Sequence, residues 1–218
     1  MAKKVIKKTT KKVSAAKPVA IKTKKTTAAI KVKPASVVKS VKEDRLEQQI
    51  YPIGRFKQPT EFNETLITKM IQDIRILPEH LKSISKRINK KKKLSYTYRD
   101  GGWNIEQIIH HIADSHMNAL IRFKLALTEN NPTIKPYDHN LWTETADVQL
   151  PIKNSVRLVK AVHAKWVALL ENMDKNDWKR TFYHPEYKRT STLQETLALY
   201  AWHGKHHVAQ IDVALKNN

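Results

Sequence analysis

Phe62, Leu66, Met70, Ile74, Leu77, Leu81, Ile84 and Ile88 recur at steps of three and four, and this spacing restricts the fold class more than any other feature of the chain. Side chains so spaced lie on one face of an α-helix. The pattern predicts a helical region from about Thr60 to Ile88, with Pro78 kinking it or breaking it into two helices. Lys90 to Lys93 read as a short basic loop. A second helix is expected to follow Gly101-Gly102-Trp103, with Asn104 as N-cap and Gln107 completing the capping box. Ile105, Ile108, Ile109, Ile112, Leu120, Phe123 and Leu127 carry it to about Glu129, where Asn131-Pro132 ends it. Residues 131–153 hold three Pro and no sustained period, which makes them a long crossover ordered by Tyr137, Leu141 and Trp142. A third helix is expected from about Asn154 to Met173. A fourth starts at the capping box Thr192-x-x-Glu195 and runs to the C-terminus. No segment reads as a sheet. Four helices with a long crossover between the second and third make an all-α four-helix bundle.

Charge separates this bundle from what precedes it. The chain carries 41 Lys and Arg against 20 Asp and Glu, a net +21. Residues 1–42 hold 14 Lys and no acid, so the remaining 27 basic and 20 acidic residues leave only +7 for the rest. Lys, Ala, Thr and Val in short near-repeats, without aromatics, cannot bury enough apolar surface to offset the entropy of ordering. The expectation is a disordered Lys-rich tail over residues 1–45 and one folded domain over 46–218. Linear Lys clusters release counterions from polyanions, so the tail is expected to bind nucleic acid weakly and without sequence preference. As a solvated solubility tail it would do no more than keep the chain dispersed.

The sequence contains no cysteine, which excludes disulfides, thiolate metal ligands and a cysteine nucleophile. No apolar run approaches the roughly 18–20 residues of a membrane span, and no signal-peptide core follows the basic N-terminus. These features lead us to expect a cytoplasmic protein without a membrane partner.

Histidine carries the chemical signal. In Tyr200-Ala-Trp-His203-Gly-Lys-His206-His207, His203 and His207 stand four apart, so on a helix their imidazoles stack on one face and reach a single ion. His206 is an alternative partner for the pair. A second cluster, His110-His111-Ile-Ala-Asp114-Ser-His116, lies on the second helix. Periodicity places His116 on the inward stripe, where a satisfied core histidine would sit, with His110 and His111 flanking it. Spacing alone does not choose among them.

Several strings in order resemble the DinB-like superfamily, and within it the YfiT group. They are Tyr51-Pro-Ile-Gly, Tyr98-Arg-Asp-Gly-Gly-Trp103, His110-His-Ile-Ala-Asp-Ser-His-Met-Asn118, Ile121-Arg-Phe-Lys-Leu-Ala-Leu-Thr-Glu129, Lys135-Pro-Tyr-Asp138, His184-Pro-Glu186 and Tyr200-Ala-Trp-His-Gly-Lys-His-His207. The resemblance covers Tyr51 to about Ala214. It implies a four-helix bundle, usually a homodimer, holding one divalent metal, Zn²⁺ or Ni²⁺, on His111, His203 and His207. It also implies a metal-dependent hydrolase or, as for some members, a bacillithiol S-transferase acting on a small molecule.

Three neutral imidazoles leave open positions on the ion, the arrangement of a catalytic site. Such an ion generates a nucleophile from water near neutral pH, or holds a low-molecular-weight thiol as thiolate for transfer. Asp114, three residues after His111, is placed to orient a ligand or act as a base; as a solvated helix carboxylate it would do neither. Tyr98, Arg99, Trp103, Tyr137, Trp142 and His184 are candidates for the pocket rim, whereas His163 and Trp166 are expected to pack. A reading of another class makes the chain a nucleic-acid-associated protein that works through its tail, with the bundle as a passive module.

Overall fold

The computed structural model describes residues 35–88 and 91–217. Seven helices and one hairpin follow in chain order: α1 (Ala35–Ile50), α2 (Glu64–Arg87), α3 (Lys91–Leu94), α4 (Ile105–Thr128), α5 (His139–Trp142), α6 (Lys153–Leu170), β1 (Thr181–His184), β2 (Arg189–Thr192) and α7 (Leu193–Asn217). The four long helices α2, α4, α6 and α7 form the bundle. Both α2 and α4 pack against α6 and α7, so α2 faces α4 and α6 faces α7 across the bundle, while α4 and α6 lie side by side.

The helix ends follow local chemistry. Asn63 caps α2 by accepting from Leu66 N at 2.9 Å. Asn104 and Gln107 complete the expected capping box of α4, at 2.8 and 3.0 Å. Thr192 and Glu195 do the same for α7, at 3.3 and 2.8 Å. Pro78 neither breaks nor ends α2; it lies buried within one continuous 24-residue helix.

Four expectations need correction. A two-stranded antiparallel hairpin pairs Thr181 with Thr192 and His184 with Arg189. Each strand has only four residues, too few for a period of two to show. Lys91–Leu94 form a short helix where a basic loop is expected. Leu141 is 60% exposed and does not anchor the crossover, which is held instead by the rings of Tyr137 and Trp142, 4.2 Å apart. Helix α1 begins at Ala35, ahead of the boundary that composition places at residue 45. Its last turns gain acidic residues in Glu43, Asp44 and Glu47 and a docking contact, since Gln210 of α7 donates to the carbonyl of Ile50 at 3.0 Å. The rest of the expected tail, residues 1–34, lies outside the described residues.

Two apolar clusters fill the bundle. One gathers Met70, Ile74, Phe123, Trp166 and Leu197; the other gathers Leu81, Ile105, Ile108, Ile112, Val159 and Ile211. Along each helix the break between them falls at about the same level: between Ile74 and Leu77 on α2, at His116 on α4, between Val159 and Val162 next to His163 on α6, and around His203 and His207 on α7. Histidine therefore forms a polar layer between two apolar ones, which places the site near mid-bundle.

A histidine triangle at the bundle midplane

His111 of α4 meets His203 and His207 of α7. His203 Nε2 lies 3.2 Å from His111 Nε2 and 3.1 Å from His207 Nε2, and ligand nitrogens of all three lie within 4.8 Å of one another. Ligand nitrogens on a tetrahedral ion with bonds of about 2.0–2.1 Å stand about 3.3–3.4 Å apart. The three imidazoles thus fit one divalent ion with little rearrangement.

Surrounding groups hold each ring. Trp103 covers His111 at a centroid distance of 4.7 Å and His207 at 6.3 Å. It reaches that position through the turn at Gly101, whose φ is +63°, and Gly102, where a Cβ would stand 2.8 Å from Arg99 Cγ. His207 Nδ1 donates to Gln210 Oε1 at 2.8 Å, which leaves its Nε2 for the triangle. The other end of the same amide is the donor to Ile50. Where α7 crosses α2, residue 204 is glycine, and a Cβ there would lie 2.7 Å from Leu77 Cδ2. The close crossing places His203 at the level of the polar layer.

Burial keeps these rings neutral. It drives the His111 pKa down to about 3, with His139 adding like-charge repulsion. It also drives His203 and His207 well below the ordinary value, with their neighbouring rings adding to the effect. Neutral imidazole is the form that binds a metal.

The triangle opens on a cavity of about 510 Å³ whose wall includes Tyr98, Arg99, Trp103, Tyr137 and His184, five of the six rim residues expected from sequence. Trp142 is not on that wall and stacks behind Tyr137. The wall also carries Arg122 and Tyr200, which sequence reading did not single out. Arg122 Nη1 lies 3.5 Å from Tyr200 Oη, and among the described residues no carboxylate pairs with Arg122.

The other candidates are placed as follows. His110 shares a hydrogen bond with the Ser155 hydroxyl of α6 at 2.8 Å, away from the triangle. His206 stacks on Trp202 at 4.4 Å and is not one of the three. Asp114 is half-buried and does not line the cavity. Burial, with Asp147 as a like charge, raises its pKa to about 6. His116 and His163 are fully buried and bonded to each other at 2.9 Å. Their part in the site escaped sequence reading because the bonds join α4 to α6 and α6 to α2, and no periodicity reports such contacts.

The DinB superfamily family model matches residues 72–211. A relative from Oceanobacillus iheyensis named "Putative metal-dependent hydrolase" is 47% identical over 161 residues, covering 74% of this chain and 92% of its own length. A relative of the same name from Bacillus cereus is 46% identical over the same shares. Among solved structures, YfiT from Bacillus subtilis, described as "a probable metal-dependent hydrolase with an unusual four-helix bundle topology", superposes with a TM-score of 0.74. It is 40% identical, over 78% of this chain and 97% of that one. A mycothiol-dependent maleylpyruvate isomerase, 16% identical with a TM-score of 0.53, shares the fold over 69% of this chain and 66% of its own. The matched segment contains α4, α6, the hairpin and the three histidines, and on that match the chain belongs to the DinB superfamily.

Proposed function

We propose that this chain is a metal-dependent enzyme in which His111, His203 and His207 hold one divalent ion, Zn²⁺ or Ni²⁺, beside a small-molecule cavity. The observation that carries the reading is the convergence of three Nε2 atoms, two of them 3.1 and 3.2 Å from the third, at the edge of a cavity rather than in a closed core. When bound, the ion would supply a Lewis acid able to activate water or a low-molecular-weight thiol, for hydrolysis or S-transfer.

The protein's own residues supply the rest. Trp103 shields one face of the triangle from bulk water. Arg122 offers a cation on the cavity wall that no carboxylate pairs with among the described residues, suited to an anionic group on the substrate. Tyr137 and Tyr200 offer hydroxyls on the same wall. Asp114, whose pKa burial and Asp147 raise to about 6, is the candidate proton acceptor on α4, one turn beyond His111 and outside the cavity wall.

Elemental analysis of the untagged protein beside His203→Ala and His207→Ala tests the reading. About one Zn or Ni per chain, absent in both variants, is the expected result; no metal in the wild type even after reconstitution would overturn it. Rates measured with and without added thiol then separate the two chemistries: activity that needs no thiol sinks S-transfer.

A further inference from the structure

Pro78 has no N–H, so the carbonyl four residues earlier, that of Ile74, loses its partner within α2. His163 of α6 takes the vacant acceptor, with its Nδ1 2.6 Å from Ile74 O. A carbonyl oxygen only accepts, so the proton in this contact sits on His163 Nδ1. A neutral imidazole carries one ring proton, and His163 Nε2 is therefore a lone pair.

The same logic passes along the polar layer. His116 Nδ1 stands 2.9 Å from His163 Nε2 and must donate to it, which leaves His116 Nε2 as an acceptor. His203 Nδ1 stands 3.2 Å from His116 Nε2 and donates in turn. That leaves His203 Nε2 with its lone pair, and this is the atom that faces His111 and His207. His116 is 0% and His163 1% exposed, so the rings bond to each other without competition from bulk water.

We infer that Ile74, His163 and His116 form a directional relay that sets the tautomer of His203 and so presents its Nε2 to the metal ion. The inference rests on reading the triangle as a metal centre. His116 and His163 are positioning residues: they touch neither ion nor substrate, and act by fixing which nitrogen of His203 is the ligand and by accepting from its Nδ1–H. Partners of this kind typically change metal affinity 10- to 100-fold.

Long-range ¹H–¹⁵N NMR of the metal-free, full-length protein reads ring tautomers directly, with signals assigned by their loss in single-histidine variants. The expected pattern is the Nδ1–H tautomer at His163, His116 and His203; an Nε2–H tautomer at any of the three overturns the relay. A competition titration with Zn²⁺ and a chromophoric chelator supplies the second readout. His116→Leu, which leaves the His203 Nδ1–H without an acceptor, is expected to weaken zinc binding about 10- to 100-fold. His116→Gln keeps a carbonyl for His203 and an N–H for His163, and is expected to restore most of that loss. Unchanged zinc affinity in a folded His116→Leu, or a His116→Gln no better than Leu, overturns the proposal. Because the tautomers are read without metal, a wild type that binds no zinc would sink the proposed function while the NMR pattern still decides the relay.

Discussion

Gly204 of α7 meets Leu77 of α2 so closely that a Cβ on residue 204 would stand 2.7 Å from Leu77 Cδ2. Leu77 is 3% exposed and packed on all sides, so it cannot turn aside freely. Gly204→Ala is expected to cost about 1–3 kcal/mol, the usual range for overpacking a filled core, measured by urea unfolding. It should also displace His203 and lower zinc affinity. Adding Leu77→Ala should return part of both losses, a non-additivity that a double-mutant cycle detects. Strict additivity would show that the crossing does not hold the site.

Zinc should stabilise the fold by mass action. At free Zn²⁺ about 100-fold above the dissociation constant, the gain is about 2.7 kcal/mol, seen as a rise in Tm by calorimetry. The rise should vanish in His207→Ala. A rise of equal size in that variant would place the binding elsewhere.

The metal-free protein should lose stability in acid. Burial holds His163 at about 4 and His111 at about 3, below the ordinary 6.5, so the fold favours their neutral forms. The unfolded chain then binds more protons than the folded one below pH 6.5, and the stabilisation present above that value is lost as pH falls towards 4 and 3. Each such ring contributes a slope of at most about 1.4 kcal/mol per pH unit. Unfolding midpoints measured from pH 7.5 to 4 should fall steadily; a flat profile would mean that the rings are charged or exposed.

Asp114 has the opposite sign. Its pKa is raised to about 6, from an ordinary 3.8, by burial and by Asp147. The fold therefore favours the protonated acid, and stability is lost as pH rises through about 6. Asp114→Asn is expected to stabilise the protein at pH 8 by about 1 kcal/mol, allowing for solvent screening of a half-buried group, and to lower turnover. Full turnover with the stability gain would remove Asp114 from the chemistry.

The bundle was largely legible because its signal is local. Eight apolar residues from Phe62 to Ile88 mark α2, and the Asn104–Gln107 and Thr192–Glu195 boxes mark the starts of α4 and α7. The spacing of His203 and His207 was equally plain, since i and i+4 share a helix face. The choice among His110, His111 and His116 was not, because all three are buried, at 4%, 7% and 0% exposure. Each turns to a different partner: Ser155, the triangle, or His163. Those partners lie 45, 92 and 47 residues away, and only the packed bundle brings them near. That α2 runs unbroken through Pro78 was hidden for a related reason. The proline's cost to the helix is local, but the group that takes the freed carbonyl belongs to α6.

Gln210 gives His207 what His163 and His116 give His203, and both lines end on main-chain oxygens: Ile50 at the last turn of α1 and Ile74 in the gap left by Pro78. A main-chain carbonyl does not titrate and survives any side-chain replacement at its own position. Substituting Ile50 or Ile74 would therefore alter packing while leaving the acceptor in place. The genetic weak points of the site's orientation lie elsewhere, at positions 78, 116, 163 and 210, and a mutational scan that weights only the three imidazoles would pass over all four.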